Sequence, residues 1–241
     1  MNNSLEWLAL IIGNSRLHWA WFEQYHLKKT WHTPHLTNVF TSIENCLDLP
    51  IYLASVVPSQ TTFFQNYPHF IEIKLEQIPL KKLYPTLGID RAITVLGAGE
   101  SYGYPCLVID VGTALTFTGI DAQKNFIGGA ILPGFRLQFQ SLSSQTAALP
   151  TVALPDKLPH LWENTTQTAI ESGIIYNTLA GVHYFISDWL TQFPNAKILI
   201  TGGDGLIIFN YLLNLFPYLN KHIKFDAELG FWGMRSLRQL L

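Results

Sequence analysis

The segment of this chain best suited to chemistry is Val108–Asp121. A β-forming run leads into Asp110-Val111-Gly112-Thr113, and a second β-forming run follows. This order predicts a hairpin whose tip holds a carboxylate, a glycine and a hydroxyl beside free backbone N–H groups. Gly112 lets a ligand approach the backbone closely. The Thr113 hydroxyl and the turn N–H groups can donate to phosphate oxygens, and Asp110 can hold a cation that offsets their charge. The segment therefore predicts a phosphate-binding turn.

A second, weaker copy of this pattern lies near the start of the chain. The β-forming run Leu8–Ile12 leads into Gly13-Asn14-Ser15, and the apolar run Leu17–Phe22 follows. Either copy by itself also fits an ordinary hairpin turn, because Asp, Gly, Asn, Ser and Thr fill turns for local backbone reasons. The shared layout, repeated about a hundred residues apart, favours a duplicated architecture with one phosphate loop in each half.

The remaining pattern predicts the elements that position these turns. In the first half we expect strands over 5–12, 16–23 and 27–33, a helix over 36–47, strands over 51–57 and 70–75, and a helix over 91–102. The second half begins near 105, with strands over 106–111, 114–121 and 125–132, and a helix over 133–149. Helices over 164–193 follow, then a strand over 197–201, a helix, a strand near 222–225 and a terminal helix from 226. The pattern alone indicates an α/β protein with a mixed sheet.

The composition predicts a large core and a weakly charged surface. Of the 241 residues, 48% are hydrophobic and only 13% are charged, at a mean hydropathy of +0.18. The charged fraction is well below the usual quarter. This leaves two interpretations open: a partner subunit that covers apolar surface, or an apolar monomer.

Charge and apolar runs argue against several classes of partner. The net charge of −2 and the scattered basic residues predict no nucleic-acid binding. The apolar run Trp7–Ile12 lacks the basic flank of a signal peptide, and the run over 205–216 is shorter than the ~20 residues of a membrane span. We therefore expect no membrane association. Cys46 and Cys106 are expected to be reduced thiols, which predicts a cytoplasmic protein.

Five short motifs resemble one protein family. The turn at Asp110, the segments Gly88-Ile89-Asp90-Arg91 and Gly128–Gly134, and the segments Thr166–Gly173 and Thr201-Gly202-Gly203 are similar to motifs of the type III pantothenate kinases. These enzymes belong to the acetate/sugar kinase, Hsp70 and actin superfamily. The motifs occur in the family's order and cover nearly the whole chain.

The resemblance implies a fold and an activity. The fold is a duplicated ribonuclease H-like (actin-like ATPase) α/β fold, with halves at 1–104 and 105–241, the second of which carries dimerisation helices. The activity is ATP-dependent phosphorylation of pantothenate to 4′-phosphopantothenate, the first step of coenzyme A biosynthesis. The implied cofactors are Mg²⁺ and a monovalent cation, K⁺ or NH₄⁺, and the implied assembly is a homodimer whose pantothenate pocket uses both subunits.

Asp90 is the expected catalytic residue. It lies between Gly88 and Arg91 at the entry of a predicted helix, where the N-terminal N–H groups and the helix dipole favour an anion. A carboxylate in a cleft can accept the proton of an alcohol that attacks the γ-phosphate of ATP, whereas a purely structural Asp would cap the helix. The resemblance implies the proton acceptor, and Arg91 suits a carboxylate ligand because its guanidinium binds bidentately.

The resemblance also assigns the binding residues. The substrate residues are Tyr84, Gly88, Ile89, Asp90, Arg91 and Thr166. The ATP residues are Ile11, Ile12, Gly13, Asn14, Ser15, Arg16, Leu17, His18, Thr113, Gly202 and Gly203. Asp110 is the implied ligand of the monovalent cation. The residues alone leave other roles open: Tyr84 as a packed tyrosine, Thr166 as a hydroxyl facing water, and the glycine pair as a plain helix-start turn.

The first turn departs from the family pattern. Ile11 stands where the family has an Asp that helps to hold Mg²⁺, and Thr118 stands where an Asp is more usual. We therefore expect a weakened metal site at the first turn. Two alternatives stay open: a non-catalytic pseudokinase that binds pantothenate or nucleotide, and a related kinase for another small hydroxylated substrate.

Overall fold

The computed structural model describes residues 5–37 and 49–240. These residues form two compact units, one of Met1–Ser101 with Glu228–Leu241 and one of Tyr102–Ala227. The strands are β1 Glu6–Ile12, β2 Leu17–Glu23, β3 His26–Thr33, β4 Ile51–Ser55, β5 Phe70–Glu72, β6 Cys106–Val111, β7 Ala114–Ile120, β8 Phe126–Pro133, β9 Lys197–Thr201 and β10 Ile223–Phe225. The α-helices are α1 Pro58–Thr61, α2 Ile89–Tyr102, α3 Phe135–Gln145, α4 Thr166–Gln192, α5 Gly205–Leu215 and α6 Leu229–Arg238. Short 3₁₀ turns cover Thr62–Phe64, Leu75–Gln77 and Pro217–Lys221.

The first unit is built on a five-stranded mixed sheet in the order β3-β2-β1-β4-β5. Strands β1, β2 and β3 form an antiparallel meander, and β4 and β5 run parallel to β1. Alternate residues of β1 face opposite sides. Leu8, Leu10 and Ile12 pack in one buried cluster, whereas Trp7 stacks on Phe22 at 4.4 Å on the other face.

The helix α6 belongs to this first unit although it ends the chain. The Arg238 guanidinium lies 4.9 Å from the Trp7 ring, and Trp232 meets Phe22 edge to face at 6.4 Å. A Cβ at Gly97 of α2 would overlap the backbone of α6 at Leu229 and Gly233, so the glycine lets the two helices approach closely.

The second unit repeats the same sheet. Its order is β10-β9-β6-β7-β8, again with a three-stranded antiparallel meander and two further parallel strands. Ile109, Phe117 and Ile200 belong to the buried cluster of this unit, which also includes residues of α3, α4 and α5. The duplication predicted from the two turns is therefore present in the strand order and in the strand directions.

Several element boundaries differ from the sequence-based expectation. The helix expected over 133–149 covers only Phe135–Gln145, because Thr146 is already extended and the residue before Pro150 disfavours a helical backbone. The strand expected over 70–75 ends at Glu72. One helix of 27 residues occupies most of the range 164–193. Residues 38–47 of the helix expected over 36–47 lie outside the described residues.

The division into units also differs in one respect from the halves expected at 1–104 and 105–241. The change of unit near residue 102 lies close to the expected position, but Glu228–Leu241 groups with the first unit. Local sequence pattern carries no signal for this return, because it depends on long-range contacts of α6. Among the described residues, no helix combines the length and the apolar character that a membrane span requires.

Candidate functional site

The first turn is a tight hairpin with exposed polar side chains. The Gly13 N–H donates to the Arg16 carbonyl at 3.1 Å, and His35 Nε2 donates to the Gly13 carbonyl at 2.9 Å. Asn14, Ser15 and Arg16 between them are exposed. Backbone N–H groups, an amide, a hydroxyl and a guanidinium are donors, so the turn suits an anion.

The side chain of Ile11 extends away from this turn, toward helices α6 and α2. Ile11 Cδ1 lies 2.7 Å from the position that a Cβ on Gly230 of α6 would take, and Thr94 Oγ1 of α2 lies 3.5 Å from the same position. The Thr94 hydroxyl in turn donates to the Asp90 carbonyl at 2.7 Å. Position 11 therefore offers an apolar contact and no oxygen, so it does not fit a divalent cation.

The segment Gly88–Arg91 forms the start of α2. The Asp90 Oδ1 atom accepts a hydrogen bond from the Arg91 backbone N–H at 2.8 Å. The same oxygen lies 2.6 Å from the position that a Cβ on Gly88 would take. Glycine is therefore needed at 88, because any side chain there would displace the carboxylate of Asp90.

The environment of Asp90 makes its carboxylate more basic. Burial raises the pKa of Asp90 above its ordinary value, against the hydrogen bond from the Arg91 backbone and the charge of Arg91, which lower it. A more basic carboxylate at a helix start can accept a proton from a hydroxyl group more readily.

Arg91 is itself buried and is held by Tyr84. Its Nη1 atom donates to the Tyr84 hydroxyl at 3.1 Å, a contact that the sequence did not predict although both residues were expected to bind the substrate. The structure therefore brings Tyr84, Gly88, Asp90 and Arg91 together. A buried guanidinium with an ordered partner is suited to bind a planar carboxylate.

The second turn joins β6 to β7. The Gly112 N–H donates to the Ala114 carbonyl at 3.1 Å. Gly202 has a φ of +91°, and a Cβ there would lie 2.5 Å from Asp110 Oδ1 and 2.6 Å from the Val111 carbonyl oxygen. Asp110 and Gly202, which the sequence assigned to cation and nucleotide, are thus neighbours. Carboxylate and carbonyl oxygens are the kinds of donor that a hard cation takes.

The start of α3 lies against the same turn. The Gly134 N–H donates to the Thr113 carbonyl at 2.9 Å, and a Cβ at Gly134 would overlap the Gly112 carbonyl oxygen. The first backbone N–H groups of any helix have no partner within the helix, so the N-terminus of α3 is a typical anion-binding feature. Sequence reasoning placed Gly134 in a motif but gave it no role in the site.

Asp204 follows the glycine pair. Its N–H donates to the Val111 carbonyl at 3.0 Å, which fixes the loop after β9 against the second turn. Burial raises the pKa of Asp204, and the charge of Arg136 at the start of α3 opposes this. Gly203 has open space where a Cβ would lie. The loop therefore has open space for a ligand or a side chain at Gly203, whereas at Gly202 that space is filled by Asp110 and Val111.

Thr166 begins α4, and Thr165 caps the helix by accepting a hydrogen bond from the Thr168 N–H at 3.3 Å. The structure places Thr166 on an open apolar groove of about 480 Å³ in the second unit. The groove is lined by Leu142, Leu149, Thr166, Ala169, Ile170, Gly173 and Ile174. A hydroxyl at the rim of an apolar groove can orient a ligand that has both apolar and polar groups.

Three features of the site were missed by sequence reasoning. These are the contact of Gly230 with Ile11, the hydrogen bond between Tyr84 and Arg91, and the position of Arg136 near Asp204. The spacing of Gly230 and Gly233 in the last helix is a signal that could have found the first one. Within the residues that the structure describes, no group of three or more His, Cys, Asp or Glu side chains is placed to hold a metal ion.

Known structures share this fold at low sequence identity. MreB 5 of Spiroplasma citri bound to AMPPNP matches 99% of this chain and 97% of that chain with a TM-score of 0.52 at 11% identity. The ROK hexokinase from Thermus thermophilus matches 96% of this chain and 98% of that chain with the same TM-score and identity. The fold is thus the duplicated α/β fold of the actin-like ATPases.

Sequence relatives give the family. A type III pantothenate kinase from Nostoc is 46% identical over 96% of this chain and 94% of its own length. A type III pantothenate kinase from Synechocystis is 43% identical over 96% of this chain and 90% of its own length. The family model described as type III pantothenate kinase matches residues 7–188, which include both hairpin turns and the Asp90 segment. The chain belongs to the type III pantothenate kinase family.

Proposed function

We propose that this chain transfers the γ-phosphoryl group of ATP to pantothenate and forms 4′-phosphopantothenate, the first step of coenzyme A biosynthesis. The observation that carries the proposal is the start of α2, where a carboxylate of raised pKa, Asp90, lies next to the buried guanidinium of Arg91. The membership of the family supports the same substrates.

Asp90 is the proposed general base. It accepts the proton from the pantothenate hydroxyl as that oxygen attacks the γ-phosphorus, while the bond from phosphorus to the β,γ-bridging oxygen breaks and ADP leaves. Arg91 binds the pantothenate carboxylate, and Tyr84 orients Arg91 through their hydrogen bond. Gly88 is required so that the Asp90 carboxylate keeps its place.

The two turns are the proposed nucleotide-binding segments. In the first unit, Gly13, Asn14 and Ser15 offer backbone and side-chain donors for phosphate oxygens. In the second unit, Thr113 and the accessible Gly203 contribute to the nucleotide site. The hydrogen-bond donors of these residues and their accessibility support a role in binding ATP.

Two cations belong to the proposal. Asp110 and the Val111 carbonyl offer oxygens to K⁺ or NH₄⁺ next to Gly202. Mg²⁺, when bound to ATP, neutralises charge on the phosphate oxygens. Because Ile11 offers no ligand, we propose that Mg²⁺ is held mainly by the nucleotide and water, and that the enzyme needs a high Mg²⁺ concentration.

A homodimer is the proposed assembly. The residues Gly173, Asn177, Ala180, Gly181, Tyr184 and Phe185 form an exposed stripe along one side of α4. Tyr184 is 72% exposed, and a second groove of about 410 Å³ next to it is lined by Phe117, Leu132 and Phe185. Small and aromatic residues at helical spacing suit close packing of two helices. A cytoplasmic location, which rested on the two cysteines, stays a prediction.

The alternative of a non-catalytic pseudokinase has little support. Its basis was the loss of the carboxylate at position 11, but the proposed general base Asp90 and its neighbour Arg91 are both present at the start of α2. The relatives at more than 40% identity are named as kinases. A kinase for another small hydroxylated substrate would form no 4′-phosphopantothenate from ATP and pantothenate, so an assay for that product distinguishes it.

The test is formation of 4′-phosphopantothenate, followed by mass spectrometry, with ATP, Mg²⁺ and K⁺. We expect product that requires both ATP and pantothenate, and no product from pantothenate analogues that lack the primary hydroxyl. Absence of product over a wide range of Mg²⁺ and K⁺, with a folded protein, would overturn the proposal.

A further inference from the structure

The Thr94 hydroxyl is linked to the Asp90 carboxylate through a single peptide group. Thr94 Oγ1 donates to the Asp90 carbonyl oxygen at 2.7 Å. The nitrogen of the same peptide group is that of Arg91, whose N–H donates to Asp90 Oδ1 at 2.8 Å. The hydroxyl, the carbonyl, the N–H and the carboxylate therefore form one chain of hydrogen bonds at the start of α2, and the proposed general base stands at its accepting end.

Two hydrogen bonds that share a peptide group strengthen each other. A donor on the carbonyl oxygen polarises the amide, so that its N–H becomes a better donor, and each bond of such a chain gains roughly 10–30% in strength. Hydrogen bonds to an ionised acceptor are also stronger than bonds between neutral groups. A stronger bond from the Arg91 N–H fixes the direction of the Asp90 carboxylate and favours its ionised form.

The surroundings of Thr94 favour this bond. The residue is only 8% exposed, so little water competes for its hydroxyl. Thr94 is β-branched, and a threonine in a helix adopts few rotamers, one of which bonds the carbonyl four residues earlier. A Cβ at Gly230 of α6 would lie 3.5 Å from Thr94 Oγ1 and 2.7 Å from Ile11 Cδ1. Helix α6 therefore approaches Thr94 at a residue that has no side chain to compete for the hydroxyl.

Arg91 is the charged side chain that acts on the Asp90 carboxylate. Burial raises the pKa of Asp90, and the Arg91 backbone hydrogen bond and the Arg91 charge oppose this rise. The remaining titratable side chains of α2, of the loop before it, of α6 and of β1 are exposed, contact another residue or lie at the other end of their element. They are Lys81 and Lys82, which are exposed, Tyr84 on Arg91, Glu228 on Thr30, Arg235 on Trp232, Arg238 on Trp7, and Glu6 and Glu100 at the far ends of β1 and α2.

We propose that Thr94 is a positioning residue for the phosphoryl transfer: its hydroxyl orients the Asp90 carboxylate toward the substrate hydroxyl through the peptide group that Asp90 shares with Arg91. The inference deepens the proposed function and rests on it, since the carboxylate that is oriented is the general base. A threonine that only satisfied its own hydroxyl would make the same bond to the carbonyl. The two roles differ in what happens to the chemistry of Asp90 when the hydroxyl is removed.

The first test is Thr94→Val, which replaces the hydroxyl by a methyl group in the full chain. We expect kcat for 4′-phosphopantothenate to fall about tenfold, which is part of the roughly 10²–10⁴-fold that a general base contributes. The KM for pantothenate should change less than about twofold, because the interaction that is lost acts on the transition state. The acid limb of the pH profile of kcat should move to higher pH, since the carboxylate loses support for its ionised form and its pKa rises.

Two further variants separate this role from stability of the helix. Thr94→Ser keeps the hydroxyl and should return kcat and the acid limb to near the wild-type values. The matched control is Thr191→Val near the end of α4, where an exposed hydroxyl donates to the Ser187 carbonyl at 2.9 Å, again four residues earlier. This control should change neither kcat nor the pH profile. Thermal unfolding of each variant shows that the compared proteins are folded.

A second measurement uses the wild type and needs no variant to fold. The ¹³Cγ signal of Asp90, the ¹⁵N signal of Arg91 and the ¹³Cβ signal of Thr94 are followed by NMR from about pH 3 to about pH 8, across the ionisation of a carboxyl group. We expect all three signals to titrate with one midpoint, because they belong to one hydrogen-bonded chain.

The outcomes separate the inference from the proposed function. Equal kcat and equal acid limbs in an active wild type and a folded Thr94→Val overturn the inference alone, as does a loss of kcat that Thr94→Ser does not recover. A Thr94 signal that does not respond to the ionisation of Asp90 also overturns it. A wild-type chain that forms no 4′-phosphopantothenate overturns the proposed function, and the inference with it.

Discussion

The two phosphate turns occupy equivalent places in two sheets of the same topology, yet they carry opposite chemistry. In the first turn Ile11 is followed by Ile12 and Gly13, and in the second turn Asp110 is followed by Val111 and Gly112. Ile11 and Asp110 are therefore structural counterparts. One side chain meets a helix through carbon atoms, and the other directs an oxygen to Gly202.

The residues that lie opposite Ile11 and Asp110 on the neighbouring strands also differ in their chemistry. Ile11 lies opposite His18 on the antiparallel strand, whereas Asp110 lies opposite Thr116 and beside Thr201 on the parallel strand. Imidazoles suit an anion, whereas carboxylate and hydroxyl oxygens suit a cation. The comparison shows that a duplicated backbone preserves the turn, while the side chains at equivalent positions differ in the groups that they offer to a ligand.

Loss of the carboxylate of Asp90 is expected to have the largest effect. Asp90→Asn should lower kcat by about 10²–10⁴-fold, which is the usual contribution of a general base. The fold should survive. Because the folded protein raises the pKa of Asp90, the ionised carboxylate destabilises the native state as pH rises through this pKa, and the amide removes that cost.

The measurement for Asp90→Asn is steady-state kinetics together with thermal unfolding at pH 7. A variant that retains near wild-type kcat would show that Asp90 is not the general base. Thr86→Ala, an exposed residue in the loop before α2, is the matched control and should leave kcat unchanged.

The substitution Asp110→Ile places at the second turn the apolar side chain that the first turn has at the equivalent position, Ile11. We expect the dependence of the rate on K⁺ to disappear and kcat/KM for ATP to fall by about 10–10²-fold, which corresponds to the loss of one charged interaction of about 1.4–2.7 kcal/mol. The measurement is the initial rate over a K⁺ titration. If K⁺ still activates the folded variant, the cation is bound elsewhere and the contrast between the two turns fails.

The substitution Gly202→Ala tests whether the loop after β9 packs directly against Asp110 in the second turn. This residue has a φ of +91°, and a Cβ would lie 2.5 Å from Asp110 Oδ1, so the substitution adds backbone strain and overlap. We expect a loss of roughly 1–3 kcal/mol in the free energy of unfolding, measured by denaturant titration. Gly203→Ala is the control, because nothing lies within 4 Å of its Cβ position and its φ is ordinary. Equal losses in the two variants would contradict the predicted contact.

Much of this arrangement could be predicted from the sequence because it depends on local pattern. The runs that flank Gly13 and Gly112 predicted the two hairpins, and the likeness of the two turns favoured a duplicated architecture. The duplicated fold itself was implied by the resemblance to the family, since the pattern alone indicated only an α/β protein with a mixed sheet. The position of Asp90 at a helix start was also expected from Gly88 and the residues that follow it.

The remaining features depend on contacts between distant segments. The expected length of α3 was wrong, because the backbone is already extended at Thr146 and Pro150 disfavours a helical backbone at the residue before it. The return of α6 to the first unit depends on Gly97 and Gly233, which lie far apart in the chain and allow two backbones to meet. The hydrogen bond of Tyr84 to Arg91 was not predictable, since an aromatic ring seven residues away fits packing as well as binding.

The converse exchange, Ile11→Asp, is expected to have the smallest effect and separates two views of the first turn. A carboxylate at position 11 would supply a ligand for Mg²⁺ and should lower the Mg²⁺ requirement or the KM for MgATP by a few fold, since metal placement neutralises charge on the phosphates. The new carboxylate would also face Gly230 and Thr94, so its desolvation opposes part of this gain. The measurement is the rate over a Mg²⁺ titration at fixed ATP, with the free energy of unfolding determined in parallel and Ile11→Val as the control for packing. A folded Ile11→Asp protein with unchanged KM, kcat and Mg²⁺ dependence would show that a carboxylate at position 11 does not reach the metal, and placement of Mg²⁺ would then depend on the nucleotide and water, without a ligand from the first turn.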